Sequence, residues 1–100
     1  MTTQDDLFTM ANLSPLLTGL PFVVWIPVRN EPRDIDPSSG VKISRGLMAI
    51  PEDLRTAGLS ADELRRFREW SKLNWEVLYE YWERLIFTDE AISRLRRVGK

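Results

Sequence analysis

The sequence has 100 residues, a net charge of −1 and an apolar fraction of 43%, enough for a single domain over 1–100 with one core. The charge balance signals neither nucleic acid nor an anionic membrane as a partner. There is no cysteine and no histidine, which excludes disulfides, thiolate nucleophiles, the usual zinc sites and Ser-His-Asp or Cys-His catalysis. What remains open to an enzyme is carboxylate, lysine or tyrosine chemistry. The expectation is a non-enzymatic protein without cofactor or metal.

The first residues, MTTQDDLFTM, carry acids in place of a signal peptide's basic region. The most apolar run, residues 16–28, is too short to span a bilayer and is interrupted by Gly19, Pro21 and Pro27. A cytoplasmic protein with no membrane association is expected. Residues 1–15 read as a loosely ordered arm that docks through Leu7, Phe8 and Met10.

Residues 20–50 read as the sheet region. PFVVWIPV (21–28) is rich in β-branched and aromatic residues and reads as a strand, with Phe22, Val24, Ile26 and Val28 on one face. Pro27 cannot donate to a ladder, which predicts an edge or a bulge. Residues 29–40 are dense in turn formers and charges and read as a loop. VKIS (41–44) reads as a second strand, antiparallel to the first, and a third is possible at residues 47–50. Residues 51–58, PEDLRTAG, read as a short helix opened by proline and acids and closed by Gly58.

Ser60 with Glu63 predicts a capping box at the start of a long helix over 60–87. At about 3.6 residues per turn, Leu64, Phe67, Ser71, Asn74, Leu78, Trp82 and Leu85 form the centre of its apolar face. Trp75, Tyr79 and Ile86 flank one side, and Trp70, Val77 and Tyr81 the other. The apolar arc spans roughly 200°, about twice what covering one surface needs, so one small sheet is not expected to cover both flanks. Thr88, Asp89 and Glu90 signal a new helix start, predicting a C-terminal helix over 88–98 with Ile92, Leu95 and Val98 as its stripe. The expected fold is α+β: a small antiparallel sheet of two to three short strands on one long amphipathic helix, with a short C-terminal helix.

Two stretches carry a family resemblance. TGLPFVVWI (18–26), followed by VKIS, resembles the N-terminal part of a group of small uncharacterised bacterial proteins. REW, LN, VL, YW, TDEAI and RLR, in that order within residues 68–97, resemble their C-terminal part and the helix of a related domain-of-unknown-function family. The resemblance covers about half of the chain. It implies a sheet-plus-helix fold and a setting beside toxin–antitoxin-like partners or on mobile elements, and it brings no catalytic residues. This chain has Arg84 where such relatives carry glycine, Leu85 and Phe87 where they carry acids, and less strand sequence after VKIS.

The candidate partner-binding residues are Trp70, Trp75, Tyr79, Tyr81 and Asn74. Tryptophan and tyrosine bury much area with few rotors, so they serve binding hot spots as readily as cores. Trp82, at the centre of the face, reads as core. Asn74 and Ser71 are polar groups inside the apolar arc. Asn74 is expected either to bond a neighbouring backbone, at residues 47–50, or to fix register in a homodimer seam. The acids Glu69, Glu76, Glu80 and Glu83 read as a solvated stripe, with Arg65–Glu69 and Glu80–Arg84 as surface pairs. Arg94, Arg96, Arg97 and Lys100 either complement a helix dipole or contact phosphate. The charged loop 29–40 reads as solvated.

Together these features predict a protein–protein interaction module of a bacterial or mobile-element system, homodimeric and acting through its aromatic helix flanks. An alternative is a phage-encoded inhibitor of a CRISPR-type defence complex, which small size and lack of catalytic groups would suit. A nucleic-acid-binding module resting on the basic C-terminus is a further alternative.

Overall fold

Val23–Pro27 and Lys42–Ser44 do form strands, and each finds a partner on its other side. In the computed structural model, which describes residues 10–29, 37–46 and 49–98, four strands pair in the order β1-β2-β3-β4, every pair antiparallel. They are β1 (Met10–Leu13), β2 (Val23–Pro27), β3 (Lys42–Ser44) and β4 (Glu52–Asp53). With the helices that cover this sheet the architecture is α+β.

Two strands arise where other structure was expected. Met10–Leu13, assigned to a loose arm, pairs with β2 in the register Ala11↔Ile26 and Leu13↔Val24. That makes β2 an interior strand, not an edge. Pro27 is tolerated because it sits at the last register position, opposite Met10, where the ladder ends. The helix expected at residues 51–58 is instead β4 and a run of turns. β3 presents an edge of backbone donors and acceptors, and Glu52 and Asp53 satisfy it in place of a local helix. The Lys42 ammonium donates to the Asp53 carboxylate across the pair (3.0 Å). Residues 49–50 carry no strand, and the remaining residues of that expected strand, like Leu7 and Phe8, lie outside the described part of the chain.

The inward row Leu13, Val24 and Ile43 crosses three strands, with Ala11 and Ile26 beside it. Val23 on the opposite face of β2 is buried as well, so β2 is covered on both sides, as its nearly continuous apolar run allows. A short helix α1 (Pro15–Thr18) joins β1 to β2, with Gly19 at its C-cap in the left-handed region (φ 79°). A 3-10 turn, Pro37–Gly40, precedes β3.

The expected long helix is two helices, α2 (Ala61–Leu73) and α3 (Trp75–Trp82), which meet at Asn74. The capping box is present: the Glu63 N–H donates to Ser60 Oγ (3.1 Å) and the Ser60 N–H to Glu63 Oε1 (3.0 Å). α3 ends earlier than the periodicity predicts. Arg84 takes the left-handed conformation (φ 63°), its N–H bonds the Tyr81 carbonyl (3.0 Å), and the Leu85 N–H bonds the Glu80 carbonyl (2.8 Å). This is the Schellman termination. It turns the chain away, leaving Leu85, expected at the centre of the apolar face, 70% exposed.

The last helix, α4 (Thr88–Arg94), is also shorter than expected, with Phe87 as its N-cap. From Leu95 the backbone is extended (φ −67°, ψ 141°), because other parts of the chain capture it. Asn74 bonds both polar groups of the Arg96 backbone, and the Val98 N–H donates to the Thr18 carbonyl (2.8 Å). Ile92, Leu95 and Val98 still pack against the core, as their spacing implies.

Candidate functional site

α3 begins with Trp75, and Tyr79 follows one turn later with Trp82 beyond it, so the three rings share one face. Trp75 and Tyr79 lie with ring centres 6.4 Å apart, and Tyr79 meets Trp82 edge-on at 5.5 Å. The Arg29 guanidinium lies 5.0 Å from the centre of the Trp82 ring, within cation–π range. Burial grades along this row: Trp82 is 1% exposed, Tyr79 40% and Trp75 39%. Trp82 is thus anchored in the protein while the other two rings meet solvent.

The opposite flank turns inward. Trp70 is fully buried, tilted against Phe67 with ring centres 6.0 Å apart, and Tyr81 is buried with its hydroxyl 3.0 Å from Thr88 Oγ1. Both were expected on an uncovered flank. Both belong to the hydrophobic core instead, so any part they take in binding is through the core. The Trp70 indole N–H is buried and has no hydrogen-bond partner among the described residues, an uncompensated cost of about 1–3 kcal/mol.

Asn74 is buried and fully engaged. Its Nδ2 donates to the carbonyls of Trp70 (3.0 Å) and Arg96 (2.9 Å), and its Oδ1 accepts from the Arg96 N–H (2.7 Å). The expected backbone bond exists, but to the C-terminal segment instead of residues 47–50. Both ends of its amide are thus used inside the chain.

A groove of about 760 Å³ opens beside Trp75, between α2 and the turn after β4. Leu64, Phe67, Arg68, Ser71, Lys72 and Trp75 contribute from the helix side. Their spacing of three and four residues is one helical stripe. Leu54 and Arg55 contribute from the turn. Leu54, Leu64, Phe67 and Trp75 make the lining apolar, while Arg55, Arg68 and Lys72 bring three cations to it. None of these three has an ion pair among the described residues.

The other cations are mostly engaged. Arg65 pairs with Glu69 (3.1 Å), as expected, and also with Asp62. Arg45 donates to both Glu63 oxygens (2.7 and 3.0 Å). Glu80 pairs not with Arg84 but with Arg94, which donates to both of its oxygens (2.9 and 3.2 Å) and holds the Glu80 carboxyl below its ordinary pKa. Arg84 is removed from Glu80 by its left-handed turn, and its side chain donates to the Arg29 carbonyl (3.3 Å). Of the basic tail, Arg94 is therefore committed to an internal pair, Arg96 and Arg97 are exposed, and Lys100 lies outside the described residues.

The aromatic half of this site is legible in the helical pattern, and the groove is not. Lys72 falls on the polar face of the helical pattern, and Leu54 and Arg55 fall within the helix expected at residues 51–58. Only the β3–β4 pairing carries the turn across to α2. Among the described residues no group of three or more acidic side chains is arranged to hold a metal ion, and no helix is long and apolar enough to cross a membrane. No family model, no curated protein and no solved structure matches the chain.

Proposed function

We propose that this chain is a non-enzymatic protein–protein interaction module whose contact face is Trp75 and Tyr79 with the groove beside them. The observation that carries this reading is the exposure of two neighbouring large aromatic rings, 39% and 40%, on one helix. They are backed by a buried Trp82 and continuous with a concave apolar surface. Such rings lose little rotamer freedom on binding and bury large areas, which is why hot spots use them. The resemblance to small bacterial proteins near toxin–antitoxin-like partners or on mobile elements suggests a bacterial cytoplasmic setting for the partner.

The test compares immobilised wild type with the double variant Trp75→Ser/Tyr79→Ser in capture from a bacterial lysate. Circular dichroism shows that both are folded. Proteins retained by the wild type and lost by the variant are expected. Identical retention by both would overturn the reading.

A further inference from the structure

The groove also specifies its occupant. We propose that it takes an acidic segment of a partner protein that carries one large apolar anchor side chain, an inference that rests on the interaction reading above and narrows it to one partner chemistry. Leu54, Leu64, Phe67 and Trp75 offer the anchor an apolar lining, and the groove's volume of about 760 Å³ lies in the range of ligand-binding clefts. The charge at the groove has one sign. Arg68 and Lys72 stand one helical turn apart on α2, and Arg55 reaches the same groove from the turn after β4.

Like charges four residues apart on a helix repel, whereas other helix cations of this protein stand beside acids. Arg65, one turn before Glu69, bonds acids on both sides, and Arg94 is held by Glu80 and Glu90. No acid is among the described residues that line the groove, and none pairs with its three cations. A partner's carboxylates would supply the missing countercharge, and a basic segment would be repelled. The mode is anchor-in-groove recognition with charge setting specificity and encounter rate.

The test is a charge swap read by fluorescence anisotropy. The probes are a short labelled peptide of glutamates around one phenylalanine, the same peptide with serine for phenylalanine, and a lysine peptide around one phenylalanine. The protein is used as wild type and as Arg55→Glu/Arg68→Glu/Lys72→Glu, all three substitutions being at exposed positions. Wild type should bind the acidic anchored peptide at least about tenfold more tightly than either other peptide, weakening with salt, and the triple variant should reverse the preference to the lysine peptide. Equal binding of both charged peptides, or binding of phosphatidylserine vesicles in place of any peptide, overturns the proposal. If the partner captured through Trp75 and Tyr79 is still held by the triple variant, the acidic assignment fails while the interaction reading stands. If the Trp75→Ser/Tyr79→Ser variant also retains it, both fail.

Discussion

Asn74 holds the Arg96 peptide unit from both sides: its Nδ2 donates to the Arg96 carbonyl at 2.9 Å and its Oδ1 accepts from the Arg96 N–H at 2.7 Å. The same side chain bonds the Trp70 carbonyl, so one residue marks the junction of α2 and α3 and fastens the C-terminal segment to it. Asn74→Ala leaves these groups without partners and should cost about 2–3 kcal/mol in a urea titration. Hydrogen exchange separates local from global effects. The Arg96 and Val98 amides should lose protection first, while those of β2 fall only with global stability. Uniform loss across the chain would show that Asn74 acts on the core instead of the tail.

Gly19 serves the same docking from the other side. Its φ of 79° is left-handed, and a Cβ there would lie 2.7 Å from the Val98 carbonyl oxygen. Gly19→Ala should cost at least about 2 kcal/mol, the left-handed penalty plus displacement of the tail. Because Asn74→Ala already loosens that tail, the double variant should be less destabilised than the two single losses added. Strict additivity would mean that the two positions do not share the segment.

Ser60 and Glu63 announce α2 because a capping box is complete within four residues of chain. Nothing comparable announces β4: Glu52 and Asp53 suit the first turn of a helix, and only the open edge of β3, ten residues earlier in the chain, makes them a strand. Asn74 stands out as polar within an apolar arc, yet its partner is 22 residues away, beyond any periodicity argument. The helical wheel treats the Trp70–Tyr81 and Trp75–Tyr79 flanks alike. Their fates differ because Trp70 and Tyr81 join the hydrophobic core, with the Tyr81 hydroxyl against Thr88 of α4, while Trp75 and Tyr79 stay at its margin.

Arg84 occupies the position of a Schellman motif where glycine is favoured, with φ at 63°. Replacing it with glycine removes the left-handed penalty and gives up the 3.3 Å bond to the Arg29 carbonyl, an exposed contact of small worth. Arg84→Gly should therefore raise the urea midpoint by the equivalent of about 0.5–1 kcal/mol. A lowered midpoint would show that the contact with Arg29 outweighs backbone strain.

The Glu63 carboxyl is lowered from 4.5 to about 2 by the Arg45 guanidinium first and the Ser60 N–H second. A depressed carboxyl contributes stability above its unfolded pKa and loses it as protons bind the folded state. The advantage of wild type over Glu63→Gln should be constant above pH 4.5, shrink as the pH falls, and vanish near the folded value of about 2. Thermal midpoints of both proteins through this range give the difference directly. A gap that stayed constant down to the lowest pH would place its origin outside the carboxylate.

Trp82 and Trp75 lie on one face of α3 and should respond oppositely to truncation. Trp82 is 1% exposed, contacts Tyr79 edge-on, carries Arg29 over its ring, and accepts the Arg29 N–H at its carbonyl (2.8 Å). Trp82→Ala opens a cavity the size of an indole and should cost about 3–5 kcal/mol. Trp75 is 39% exposed and keeps only part of its area from water, so Trp75→Ala should cost about 1 kcal/mol. Its effect should instead be on binding, where loss of a hot-spot aromatic weakens association by about 2 kcal/mol or more. Urea titration of both variants, with anisotropy measured on the acidic anchored peptide for Trp75→Ala, separates the roles. Comparable stability losses at the two positions, with peptide affinity unchanged at Trp75, would mean that the exposed ring is merely the outer edge of the core.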